Sequence, residues 1–283
     1  MNNKLVTLLI ILSCAFNYSI AQYVDTVSIY SNKMRKAIPC VVIKPAQYNS
    51  DKLKYPVVYL LHGYAGNYSN WIKKVPELTE YATTMQLLIV CPDGGFGSWY
   101  LDSPIDTTYQ YQTFVSKELP NYIDAHYSTK ANANSRALTG LSMGGHGGIY
   151  VGLQYPHTFG AIGSMSGALD ITYIKNRFDV NKRLGDSTLN AINFTTHSNF
   201  AMIDTLKPTN QAIIIDCGTD DFVLPFNEVI HQKLLKRKIA HDYILRPGNH
   251  NWEYWRNAVS FQLYFFKKYF DRKIVVPIPN TKQ

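Results

Sequence analysis

The sequence predicts an α/β protein, a three-layer sandwich with a mostly parallel central sheet that turns antiparallel at its N-terminal edge. Three observations lead there. Short, continuously apolar runs recur along the chain and close on Gly, Pro or Asp, as strands buried on both faces do. Segments of helical period lie between them, so successive strands are joined by right-handed crossovers and run parallel. The composition, 46% hydrophobic and 13% aromatic over 283 residues, can fill one large core.

Taken in order, the chain opens with Lys4 ahead of an apolar run from Leu5 to Phe16, followed by the small-residue pattern Ser19-Ile20-Ala21. That run is about 12 residues, too short to span a bilayer, and reads as a signal peptide over residues 1–21 cleaved after Ala21. A secreted or periplasmic protein is expected. A minor alternative attaches lipid at Cys14, because "ILSC" is close to a lipobox, although Leu12 is bulky for its place in that pattern. Residues 22–283 are then expected to form a single domain. "YVDTVSIYS" and "AIPCVVIKP" read as an antiparallel opening pair, and "YPVVYLLHG" as the first fully buried strand. "MQLLIVCPDGG", "SRALTGLS", "FGAIGSMSG", "QAIIIDCGT" and "HDYILRPGNH" repeat that pattern. Helical period appears over Thr113–His126, with a break expected at Pro120, and over Met143–Tyr155, Phe226–Lys238 and Trp252–Phe270. Residues Phe178 to Lys207 are polar and weakly periodic, an excursion over the sheet and not a second domain.

Several classes of function drop out early. Once Cys14 leaves with the leader, Cys40, Cys91 and Cys217 are too few for a disulfide framework, and they read as small buried hydrophobes. The net charge of +8, or +7 without Lys4, is spread along the chain. Its densest run, "KLLKRK" at Lys233–Lys238, has the spacing of a solvated helix face, so no nucleic-acid partner is expected. The sequence is silent on oligomeric state.

"ALTGLSMGGHGGIY" places Ser142 between a strand and a helix, with Gly140 and Gly144 two residues away on either side. A sharp strand-to-helix turn there exposes a hydroxyl at the edge of the sheet, and glycine removes the Cβ atoms that would collide across the turn. Ser142 is thus a candidate nucleophile, which needs a base and an orienting acid. Of the late histidines, His231 lies in a helical run and His241 begins a strand. His250, in "RPGNHNW", occupies the loop after the last strand and is the candidate base. The acid belongs on the preceding loop, where "DCGTDDF" offers Asp220 and Asp221; Asp216 is still inside the apolar run. An oxyanion needs two backbone donors. Met143, after the serine, supplies one, and the loop "LLHGYAGNYSNW", turning at Gly63 and Tyr64, supplies the other. His62 is read as holding that loop. This chemistry calls for no metal and no organic cofactor.

At "VVYLLHGYAGN", "NSRALTGLSMGGHGG", "DCGTDDF" and "GNHNWEYW" the chain resembles the esterase D-like family of α/β hydrolases, which includes feruloyl and acetylxylan esterases of carbohydrate esterase family 1, S-formylglutathione hydrolases and mycolyltransferases. The resemblance implies an α/β-hydrolase fold and a triad of Ser142, Asp221 and His250, with oxyanion donors on Tyr64 and Met143. It implies a serine esterase acting on small-molecule or polysaccharide esters, with plant-polysaccharide acetyl or feruloyl esters nearest, given the leader. An acyltransferase on the same triad, an S-formylglutathione hydrolase and a non-catalytic carbohydrate-binding scaffold are the rival readings. Trp71, Trp99, Tyr100 and Trp252 are expected to stack on the substrate, with Phe96, Tyr254 and Trp255 as further aromatic neighbours, and Asp102 and Ser103 to reach its polar groups.

Overall fold

The computed structural model describes residues 23–206 and 210–272. The expected leader, its cleavage after Ala21 and Cys14 lie outside the described residues. One eight-stranded sheet runs through the molecule: β1 (Val24–Ser31), β2 (Lys36–Ile43), β3 (Val57–Leu61), β4 (Leu88–Pro92), β5 (Arg136–Gly140), β6 (Ala161–Met165), β7 (Ala212–Gly218) and β8 (Asp242–Arg246). Their spatial order is β1-β2-β4-β3-β5-β6-β7-β8. β1 pairs with β2, and β2 with β4, antiparallel; every other pair is parallel. The α/β class and the antiparallel N-terminal edge are as the sequence predicts. β3, β4, β5 and β6 are buried at every residue, the physical counterpart of their unbroken apolar runs.

The helices are α1 (Asn70–Lys74), α2 (Leu78–Met85), α3 (Leu119–His126), α4 (Met143–Gln154), α5 (Val180–Leu184), α6 (Ala191–Thr196), α7 (Asn199–Thr205), α8 (Leu224–Lys236) and α9 (Trp252–Phe270). Alternate residues of β3 sort into two cores. Val57, Tyr59 and Leu61 join the side chains of α3, α4 and α8, while Val58 and Leu60 join those of α1, α2 and α9. The two cores are the two faces of the sandwich.

Pro120 does not break its helix. A helical turn at Tyr111–Thr113 and a π-helical turn at Phe114–Glu118 run straight on into α3, and the wider π-helical turn lies where the ring of Pro120 would otherwise meet the carbonyl four residues back. The excursion after β6 carries the short helices α5, α6 and α7. Cys40, Cys91 and Cys217 are free and buried. In the basic run, Lys236 and Lys238 are exposed, whereas Lys233 pairs with Asp204 and Arg237 donates to Asp204 O at 2.6 Å. That run therefore also ties α8 to the excursion. Among the described residues, no helix is long and apolar enough to cross a membrane.

The strand order reverses at β3. β4 lies on one side of it and β5 on the other, so the chain leaves the neighbouring strands β3 and β5 in opposite directions, toward β4 and β6, and opens a crevice beyond their carboxyl ends. Leu61 of β3 faces Gly140 of β5, which sets the "HGYAG" loop beside Ser142. Gly218 of β7 faces Arg246 of β8, which sets the loop of Asp221 beside that of His250.

Candidate active site

Ser142 sits at φ +54° and ψ −114°, a conformation that costs a non-glycine residue on the order of 1–3 kcal/mol. The surroundings hold it there. Ser142 N–H donates to Met165 O at 3.0 Å, and His146 N–H donates to Ser142 O at 2.9 Å. The flanking glycines are sterically required: a Cβ on Gly140 would stand 2.6 Å from Leu61 O, and one on Gly144 2.7 Å from His62 O. Both contacts are with backbone, which cannot swing aside.

His250 Nε2 lies 2.9 Å from Ser142 Oγ. Its Nδ1 lies 2.9 and 3.0 Å from the two oxygens of Asp221, whose Oδ1 also accepts the Val223 N–H at 3.0 Å. A carboxylate only accepts, so the imidazole proton resides on Nδ1 and Nε2 presents a lone pair to the serine. The Asp221 side chain is fully buried and that of His250 is 18% exposed. The two loops are stitched together: Thr219 N–H donates to Arg246 O at 2.9 Å and Asp220 N–H to Gly248 O at 3.0 Å. Asp220 itself is exposed, and among the described residues its carboxylate takes only the Thr219 hydroxyl, at 3.3 Å. The imidazole packs against Phe222, with ring centroids 4.6 Å apart, and lies edge-on to Trp255.

In the loop after β3, the Ala65 N–H is taken by Phe96 O and the Gly66 N–H by Gly63 O. The N–H groups of Gly63, Tyr64 and Met143 have no partner among the described residues. Donors left free beside a candidate nucleophile can receive a developing oxyanion. His62 is buried; its Nε2 accepts the Gly94 N–H at 2.7 Å and its Nδ1 donates to Gly63 O at 2.8 Å. Both nitrogens are spent on the loop and burial lowers the pKa, so His62 is a neutral brace.

Ser142 and His250 open onto a cleft of about 360 Å³. Trp99, Trp252 and Trp255 line it, with Trp99 Nε1 donating to Phe178 O at 2.8 Å. Four expected substrate contacts are corrected. Trp71 is completely buried, donates from Nε1 to Leu61 O at 3.0 Å and meets Trp252 edge to face, so it supports the cleft from behind. Tyr100 is also completely buried, with its hydroxyl on His62 O at 3.0 Å. Asp102 turns its carboxylate onto Thr113, accepting the N–H at 2.9 Å and the hydroxyl at 2.5 Å. Ser103 likewise donates to Arg183 O at 2.6 Å, and Phe96, exposed, packs on Tyr64 outside the cleft. Tyr254 bonds the buried Asp216, which also pairs with Arg246. The cleft adds residues the sequence did not single out: Asn70, Leu141, Ala168, Ile174, Phe178 and Phe222. Leu141 and Phe222, directly beside Ser142 and Asp221, carried a sequence signal. No group of three or more His, Cys, Asp or Glu among the described residues is placed to hold a metal.

The chain matches the esterase family over residues 31–265. It belongs to that family. It is 26% identical over 260 residues to the acetyl esterase of Caldicellulosiruptor saccharolyticus, covering 83% of this chain and 94% of the relative. A solved ferulic acid esterase superposes with a TM-score of 0.71 at 26% identity, covering 87% of this chain and 98% of its own. The S-formylglutathione hydrolase of Staphylococcus aureus shares the fold, with a TM-score of 0.71 at 19% identity over 87% and 99% of the two chains. Family membership makes the protein a carboxylic ester hydrolase.

Two predictions follow for this esterase. Truncating a large buried aromatic costs about 3–5 kcal/mol, so Trp71→Ala is expected to lose that much stability in equilibrium urea unfolding. A loss under about 1 kcal/mol would mean that the ring is not a support. The second concerns acid. His146, buried behind Ser142 on α4, is pushed by desolvation from 6.5 down to about 4. The unfolded chain therefore binds the extra proton first as pH falls. Stability is full above 6.5 and declines between 6.5 and about 4, by about 3 kcal/mol from this group. Buried His62 and half-buried His197 act in the same direction, and Asp216, whose carboxyl burial pushes up, acts against them. Unfolding free energies that stay level from pH 7 to about 4 would contradict this.

Proposed function

We propose that the protein is a secreted serine esterase that cleaves carboxylic esters through an acyl-enzyme, with acetyl or feruloyl esters of plant polysaccharide as substrates. The single observation that carries the reading is His250, set between Ser142 Oγ and the Asp221 carboxylate at the floor of an aromatic-walled cleft. His250 Nε2 takes the serine proton as Oγ attacks the ester carbonyl. The N–H groups of Tyr64 and Met143 receive the oxyanion, and Asp221 stabilises the imidazolium. His250 then protonates the departing alkoxide, and water, activated by the same nitrogen, releases the acid. Among the described residues no Lys or Arg lines the cleft to meet the carboxylates of a glutathione thioester, which favours an uncharged ester. The ferulic acid esterase and acetyl esterase relatives point to the two acyl groups. The test is labelling by a fluorophosphonate, with the modified peptide read by mass spectrometry, beside release of ferulate and acetate from feruloylated and acetylated xylan. Label on any residue other than Ser142 sinks the mechanism, and release of neither acid sinks the substrate.

A further inference from the structure

Besides Ser142 and His250, the cleft wall consists of glycine, alanine, aliphatic and aromatic residues with one carboxamide among them, Asn70 at the start of α1. Two bonds fix how that amide is turned. Asn70 Oδ1 accepts the Asn67 N–H at 2.9 Å, and the Asn70 N–H donates to Asn67 O at 3.1 Å. Gly66 makes room for this arrangement, since a Cβ there would stand 2.6 Å from Asn70 Oδ1 and 2.8 Å from His62 Nδ1. With the oxygen committed to the turn, the other end of the amide is left over: Asn70 Nδ2 has no partner among the described residues.

A free amide donor in a mostly apolar cleft acts as a filter. When an ester fills the cleft, the Asn70 amide loses water, and an unanswered donor then carries the cost of its lost hydration. An ester that brings an oxygen to that point regains the bond, whereas an isostere without the oxygen is rejected. We propose that Asn70 is a specificity-determining residue, donating from Nδ2 to an uncharged acceptor oxygen that the substrate carries beyond its scissile carbonyl. The inference rests on the serine-esterase reading above. That oxygen belongs either to the ring of an aromatic acyl group or to a sugar hydroxyl on the alcohol side, and the two sources separate experimentally.

Asn70→Asp keeps an oxygen for the Asn67 N–H and removes the donor at neutral pH. kcat/KM is measured on two substrate pairs, methyl ferulate against methyl cinnamate and an acetylated methyl xyloside against cyclohexyl acetate; the second member of each lacks the extra oxygens. The native protein is expected to prefer the first member of one pair by about tenfold or more, and the variant to bring that ratio close to one. The pair that responds locates the oxygen. A carboxylate can still accept from a substrate hydroxyl, so where the two variants differ the ratio in Asn70→Leu, which neither donates nor accepts, decides. Asn70→Leu provides the same reading should the Asp variant fold poorly. A native ratio near one in both pairs, or a preference that survives in both variants, overturns the proposal. Failure of the underlying mechanism would look different, with no hydrolysis of any of the four esters and no fluorophosphonate label on Ser142.

Discussion

Ser142→Ala is expected to turn over p-nitrophenyl acetate with kcat lowered on the order of 10⁶-fold, the scale of loss when the nucleophile of a serine triad is removed. The geometry explains why so much depends on one oxygen. Ser142 Oγ stands 2.9 Å from His250 Nε2, and neither aspartate of the neighbouring loop approaches it as a substitute base. The strained backbone at φ +54° is held by the bonds to Met165 and His146, which alanine keeps, so the variant should fold and bind esters with KM little changed. Steady-state rates on purified, folded variant provide the measurement. Retention of even a tenth of native kcat would remove Ser142 from the mechanism.

Asp221→Asn is expected to cost on the order of 10⁴ in kcat, while Asp220→Asn stays within about twofold of native. In the variant the amide NH₂ competes to face His250 Nδ1 and favours the tautomer with its proton on Nε2, which can no longer accept from Ser142. Asp221 is 5% exposed and holds both the imidazole and the Val223 N–H, so no other group replaces it. Asp220 faces solvent, and among the described residues its carboxylate accepts only from the neighbouring Thr219 hydroxyl. Both variants should be assayed across pH, because loss of the acid changes the profile as well as its height. Equal losses in the two, or a mild loss at Asp221, would contradict the assignment.

The layered fold was legible because burial on both faces writes itself as unbroken apolar runs, and β3 to β6 are such runs. The serine turn was legible because its glycines answer a backbone collision at Leu61 and His62, a constraint that no side chain escapes. The residues alone left Asp220 and Asp221 open, since the choice depends on a turn closed by Asp221 N–H on Gly218 O and on the bond from Asp220 N–H to Gly248 O. Only the resemblance favoured Asp221 in advance. The aromatic wall was half legible. Trp71 and Trp252 look alike as letters, and only their packing shows that one supports the other. Phe178 comes from a polar excursion whose return to the cleft depends on the bond from Trp99, and Asn70 reads in sequence as an ordinary turn residue.

The bonded loops after β7 and β8 have a consequence for where the site is vulnerable. Ser142 and His250 are separated by 108 positions in the chain, and the acid and base meet through pairing of the two strands at the far edge of the sheet. The serine turn, by contrast, is held by β3, β5 and β6 in the middle of the sheet. Loss of the β7–β8 pairing would leave that turn intact and the serine with no base.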